Sequence, residues 1–284
     1  MSPLLIALRR FVLVVLVLLL LAAVAVVVRS AQVRGRTWEG VVAATWPGVV
    51  PSDAASVAEG ARLARVLGCA DCHGERLQGR ALPEALPFAE VIAPNLTRVV
   101  PGYGDPELVR LLRHGVRRNG TGVFVMPATA FFHLSDADVG LVLAYLRRLP
   151  REEGHEQATS FTPRAHAAIA AGRLRPVPDA MDHGATRVDP GTPDDTAARG
   201  RYLAHVACSE CHGTSFEGGM AGKAPPLAIA QTYTDEGFRH LMRTGETPGR
   251  RDLFVMDDTA RARFAHFTDA EIQALLTFLR TLGR

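Results

Sequence analysis

The sequence predicts an all-α protein in three parts: an N-terminal transmembrane helix followed by two small helical domains that repeat one another. Three observations carry that prediction. Residues 11–28 form an unbroken apolar run. Five sequence blocks recur in the same order in the two halves of the remaining chain. The periodic stretches inside those blocks start and stop on helix-capping residues.

The apolar run, "FVLVVLVLLLLAAVAVVV", follows Arg9 and Arg10 and precedes Arg29. At about 1.5 Å per residue, an 18-residue helix reaches roughly 27 Å, close to the hydrocarbon thickness of a bilayer. A helix is the single segment that crosses there with its backbone satisfied. The rival reading is a cleaved signal peptide, with Ala23-Val24-Ala25 as the small-residue cleavage site. Residues 1–35 are assigned to this anchor or leader. Either reading exports the remainder, which predicts a single-pass protein of the bacterial cytoplasmic membrane with its domains on the periplasmic side.

The repeat pairs "RLARVLGCADCHGERLQG" (62–79) with "RYLAHVACSECHGTSFEGG" (201–219), and "APNL" with "APPL". It also pairs "YGDPELVRLLRHG" with "YTDEGFRHLMRTG", "VFVM" with "LFVM", and "LSDADVGLVLAYLRRL" with "FTDAEIQALLTFLRTL". Chance does not produce five blocks in one order. In the first copy, Asp105 is expected to cap a helix with Pro106 at its first position and Gly115 at its end. The closing helix is expected to start at Ser135, with Asp138 three residues on. In the second copy, Thr268 and Glu271 make a capping box and Gly283 ends the helix. The domains are placed at 53–150 and 196–284, joined by a linker over 151–195 that carries at most one short helix in "PRAHAAIAAGRL".

Composition bounds the function. The chain of 284 residues has a formal net charge of +3, and Lys223 is its only lysine. So small and scattered a charge argues against nucleic-acid binding. Helical domains of about 90 residues are marginal without a staple or a large buried group.

All four cysteines lie in two motifs, Cys69-Ala-Asp-Cys72-His73 and Cys208-Ser-Glu-Cys211-His212. This is the attachment sequence for c-type haem. Two thiols three residues apart on a helical turn meet the two vinyl positions on one porphyrin edge, and the adjacent histidine swings under the iron. A zinc site would keep its cysteine pairs close, whereas these are 139 positions apart. Disulfides suit an exported protein, but leave His73 and His212 recurring in register without a reason. Two covalently bound haem c groups are therefore expected, attached through Cys69 and Cys72 and through Cys208 and Cys211, with His73 and His212 on the irons.

Each copy resembles a class I cytochrome c domain, over residues 53–150 and 195–284. The string "IAPNLTRVV…GYGDPELVRLLRHGVRRNGTGVFVMPATAFFHLSDADVGLVLAYLRRLP" is similar to the cytochrome subunits of bacterial membrane-bound alcohol, aldehyde and sugar dehydrogenases. Those subunits commonly carry three such units and this chain has two. The resemblance implies a methionine sixth ligand in the loop before the last helix, which falls on Met126 with Pro127 after it. It also implies that Pro94 and Pro225 offer their carbonyls to the second ring nitrogen of the proximal histidines. Met256 lacks a following proline, but Tyr103 precedes Met126 and Tyr233 precedes Met256 by the same 23 residues. Its rivals are His266, His240 and Met242. Met242 aligns with the apolar Leu112, and His240 with Arg110 on a solvent-facing helix. The run after Met256 reads as an enlarged charged loop, three residues longer than its counterpart.

His114, His133, His155, His166 and His183 read as surface or satisfied side chains. Arg113, Arg117, Arg243 and Arg250 are candidates for haem propionates, with solvation the plainer reading. The expected function is that of an electron carrier rather than an enzyme, relaying electrons in a periplasmic respiratory chain through two His/Met-ligated haems. Its partners are then redox proteins, a membrane-bound dehydrogenase or a respiratory complex, and the bilayer itself. The alternative is a dihaem enzyme of the peroxidase or thiosulfate dehydrogenase type, with one open or labile haem.

Overall fold

The computed structural model describes residues 3–38, 40, 46–82, 86, 89–155, 157–192, 194–247 and 253–283. Arg250, one of the four candidate propionate arginines, lies outside them. The first helix, α1 (Pro3–Gly35), is long and apolar enough to cross a membrane, and its apolar window is not covered by the rest of the chain. The first domain then runs α2 (Ala54–Val66), α3 (Cys69–His73), β1 (Arg80–Leu82), β2 (Ala89–Ala93), α4 (Leu96–Val99), α5 (Asp105–His114), α6 (Ala128–Phe131) and α7 (Asp136–Leu146). The linker contributes β3 (Ser160–Phe161) and α8 (Pro163–Ala170). The second domain runs α9 (Thr196–Ala207), α10 (Ser209–His212), α11 (Asp235–Thr244), α12 (Val255–Ala262) and α13 (Asp269–Leu279).

The capping residues explain most boundaries. The carboxylates of Asp53 and Asp195 accept from backbone N–H groups in the first turns of α2 and α9. Ser135 caps α7, and Thr268 with Glu271 closes a reciprocal capping box on α13. Two expectations shift. Gly104, not Asp105, is the N-cap of α5, because Glu107 reaches back to the Gly104 N–H at 2.7 Å. That leaves Asp105 free to accept from Arg147 at 2.6 Å. α13 ends at Leu279, before the left-handed Gly283.

The helical prediction also missed a small antiparallel sheet of order β1-β2-β3. It stitches the linker onto the first domain through pairs such as Ala89 with Phe161. The end of α1 joins the same assembly. Ser30 is buried, its hydroxyl 2.9 Å from His166 Nδ1 in α8. Just beyond α1, the Trp38 N–H donates to Gly120 O at 2.9 Å. The exit of the apolar helix is thus fastened to the first domain and the linker, not tethered to them by a free strand.

In each domain the opening helix crosses the closing helix on a glycine. A Cβ on Gly60 would overlap the Leu141 carbonyl, and one on Gly200 would overlap that of Ala274. These crossings reveal the structural register of the repeat. Leu63, Ala64 and Val66 match Leu203, Ala204 and Val206, all buried and all 140 positions apart, whereas Cys69 and Cys208 are 139 apart. The residue left over is Gly68, which adopts a left-handed conformation at φ 72° just before the first motif. Gly200→Ala tests the crossing. Relief of glycine's helix penalty favours the variant by up to about 1 kcal/mol, but backbone overlap in a closed core costs about 1–3 kcal/mol or more. We expect a lowered melting midpoint by circular dichroism; an unchanged or raised one would show that the helices part at no cost.

The two domains share one continuous apolar core and meet about a pseudo-twofold axis. Arg62 and Tyr202 occupy the same position in the structural register, as do Asp138 and Glu271. Arg62 donates to Glu271 at 2.8 and 3.0 Å across the interface. Tyr202 donates to Asp138 in the opposite sense, and accepts from the Ser135 N–H at 3.0 Å. An interface in which position i of one unit meets position j of the other, and the reverse, is isologous.

Candidate functional site

The first cysteine motif forms the short helix α3, and the second forms α10 with Cys208 as its N-cap, each directly after the opening helix of its domain. The four thiols are unpaired. Burial pushes the Cys69 and Cys208 thiols up to about 12, which keeps them neutral. His73 Nδ1 lies 2.8 Å from Pro94 O, and His212 Nδ1 lies 2.8 Å from Pro225 O. A carbonyl can only accept, so Nδ1 carries the proton in both rings and Nε2 is left with its lone pair. Burial lowers both histidines from their ordinary value, with the carbonyl contact opposing it, and so favours the neutral ring.

The backbone that fixes this geometry is duplicated as well. Four residues after each histidine, Leu77 and Phe216 adopt left-handed conformations at φ 57° and 63°. Both are buried, and a non-glycine residue held there costs on the order of 1–3 kcal/mol. Their carbonyls accept from Leu96 N–H at 2.8 Å and Leu227 N–H at 2.9 Å, two residues beyond the two prolines. Gly79 and Gly218 lie directly against the proline loops, where a Cβ would crowd the backbone. The loop is thereby pinned at the distance the ring nitrogen needs. Sequence reasoning missed Leu77 and Phe216, though the glycines around them were a usable signal.

Met126 lies in a bend between α5 and α6, half-buried against the core, and Pro127 after it leads into α6. Met256 also packs half-buried against the core, but not in a loop. It stands in the first turn of α12, so the charged run expected to be an enlarged loop is a two-turn helix. The acidic residues Asp257 and Asp258 fall in that first turn, where the helix dipole favours them. α12 seats on the end of α11, where Gly245 (φ 77°) has no Cβ to collide with the Asp257 backbone. Of the rival ligands, His266 and His240 are exposed and Met242 is a core residue beside Leu241.

The three described arginines considered for propionates have other partners. Arg113, buried, donates to Leu134 O at 2.7 Å and Asp136 at 2.6 Å. Arg243 repeats this with Phe267 O at 2.6 Å and Asp269 at 2.8 Å. Both therefore tie the α5 and α11 helices to the start of the closing helix, and neither is merely solvated. Arg117 bonds within its own turn, to Gly122 O. Among the histidines, His114 and His183 face each other at 2.9 Å between Nδ1 atoms. Burial, then the His183 and Arg113 charges, push His114 down to about 4. His133 accepts from the Val188 N–H at 3.1 Å.

Between the two motifs lies a contact that no local pattern announced. Arg263, just after α12, donates to Asp71 of the first motif at 2.5 Å and to Glu210 of the second at 2.8 Å.

A family model described as cytochrome c matches residues 57–150 and 197–283. The fructose dehydrogenase cytochrome subunit of Gluconobacter japonicus is 26% identical over 263 residues, which cover 80% of this chain and 52% of that protein. The gluconate 2-dehydrogenase cytochrome c subunit of Pantoea cypripedii is 25% identical, over 81% of this chain and 60% of its own. The cytochrome c subunit of the quinone alcohol dehydrogenase of Gluconacetobacter polyoxogenes is 23% identical, over 81% and 57%. The chain thus spans between half and two thirds of the length of these relatives.

Proposed function

From a chain that belongs to the cytochrome c family, and so to proteins that bind haem c covalently, we propose a dihaem electron-transfer subunit with His/Met ligation at both irons. The observation that carries the reading is the duplicated set of two neutral thiols, a histidine with Nε2 free, and a proline carbonyl on Nδ1. That donor set fits haem c, which when bound supplies reversible one-electron exchange without bond rearrangement in a substrate.

The chain's own residues would act in three ways. Cys69 and Cys72, and Cys208 and Cys211, hold the porphyrin edge by thioethers. His73 and His212 would offer Nε2 to the iron, and Pro94 and Pro225 fix the ring plane and would raise the basicity of that nitrogen. Met126 and Met256 would offer their thioether sulfurs as the second protein ligand of each iron. A thioether there stabilises the reduced iron and excludes small oxidants, which favours relay over catalysis. Three features support Met256: its matched spacing from Tyr233, its packing on the core, and the exposure of His266. The helix α1 would anchor the chain in the bilayer as a single span, with both domains on the periplasmic side. The named relatives support a sugar, sugar-acid or alcohol dehydrogenase as the electron donor.

The ligand assignment is tested by Met256→Ala. The expected result is one haem turning high-spin, gaining cyanide affinity and losing potential, while the haem of the first domain keeps its spectrum. Two low-spin haems with unchanged potentials would move the sixth ligand away from Met256. A wild-type protein in which one haem is already high-spin and binds peroxide would replace the relay with the dihaem enzyme.

A further inference from the structure

Asp71 and Glu210 hold the same place, third in each five-residue motif, and one guanidinium binds both. The Arg263 side chain is 13% exposed, against 31% for Asp71 and 33% for Glu210, so the cation is the innermost member of the cluster. Room for it exists because Gly68 has no Cβ; one there would meet the Arg263 guanidinium. Gly68 is the residue that the first copy has in excess before its motif, and Arg263 lies in the stretch where the second copy runs three residues longer. Two of the places where the repeats depart from each other therefore meet. Each domain supplies one carboxylate, and a single guanidinium serves both.

Resting on the dihaem reading, we propose that Arg263 is a shared positioning residue for the two haem sites: it locks the two attachment motifs together, and its single charge sets both reduction potentials at once. The cluster of one guanidinium and two carboxylates carries one net negative charge. Without the guanidinium it would carry two, directly beside both motifs and partly shielded from water, where Coulomb terms are weakly screened. An oxidised iron is one unit more positive than a reduced one. Extra negative charge therefore favours oxidation at both sites, and the retained arginine favours reduction at both.

The test is an optical redox titration of the full-length protein in detergent, after its covalent haem has been counted by mass. In Arg263→Met both steps are expected to move to lower potential. The expected shift is on the order of tenfold in the redox equilibrium, equivalent to about 59 mV for a one-electron couple. Adding Glu210→Gln to Arg263→Met restores the net charge and should bring both steps back toward wild type. Glu210→Gln alone, which keeps the cation and does not depend on Arg263→Met accumulating, should raise both. Two haems whose potentials stay put in Arg263→Met, or of which only one moves, would overturn the proposal and leave the dihaem reading standing. A downward shift that Glu210→Gln fails to reverse would assign Arg263 to packing alone and overturn its charge role. A count of one haem per chain would instead sink the dihaem reading itself.

Discussion

Serine at both Cys208 and Cys211 is expected to halve the covalent haem of the protein and to abolish cooperative melting of the second domain. The thiols are the only covalent tether that domain offers, since all four cysteines of the chain belong to the two motifs. A helical unit of about 90 residues is marginal without a staple, even with the core it shares with the first domain. The second domain also has to hold a strained Phe216 backbone and a buried His212 in place. Without the thioethers the helices α9 and α13 still cross at Gly200, but the domain would lose the large group proposed to be attached to it. The first domain should keep its haem and its Soret spectrum, with a lower melting midpoint because Tyr202 no longer holds Asp138 across the interface. Haem staining after denaturing electrophoresis, paired with melting followed in the Soret band, reads both parts. Full haem retention with an unchanged melt would remove Cys208 and Cys211 from any attachment role.

Much of this architecture was readable because its determinants are local. A cap acts over three residues, so Ser135 and Thr268 announced their helices without tertiary help. The cysteine motifs lie within five residues each, and the repeat supplied the register that placed Met256 opposite Met126. What stayed illegible depends on distant partners. Nothing around Arg62, Tyr202 or Arg263 marks them as more than ordinary helix-surface or loop residues. Their roles appear only when the domains dock, because Arg62 and Glu271 are 209 positions apart and Arg263 and Asp71 are 192 apart. The same holds for Arg113 and Arg243, whose carbonyl partners lie across a loop. The α12 helix was missed because its start, Phe254 at positive φ, makes no side-chain capping hydrogen bond. The small sheet was missed because its three strands are short and one comes from the linker.

Removing the Glu271 carboxylate is expected to cost about 3–5 kcal/mol, the range for stripping one partner from a buried ion pair. Glu271 is 7% exposed and serves both domains at once. It accepts from the Thr268 N–H at 2.8 Å as half of its helix's capping box, and from Arg62 and Arg199 at 2.8 and 3.3 Å. Glu271→Ala would leave the half-buried Arg62 with only Glu59 and the His266 carbonyl as acceptors, and would open the start of α13. Glu271→Gln preserves an acceptor for the cap and should cost less. The effect has a predicted pH signature. Burial pushes this carboxyl up, but Arg62, the Thr268 N–H and Arg199 outweigh it and hold the group below its ordinary value. A carboxylate whose folded-state value is depressed contributes its stability in full above the unfolded value of about 4.3. That contribution is lost as pH falls through the lower folded value. The gap in denaturation midpoint between wild type and Glu271→Ala should therefore stay constant from neutral pH to about 5 and narrow below it. Chemical denaturation at a series of pH values measures that gap. One that persists undiminished into strong acid would mean that the Arg62–Glu271 contact holds the domains by shape alone, and not by charge.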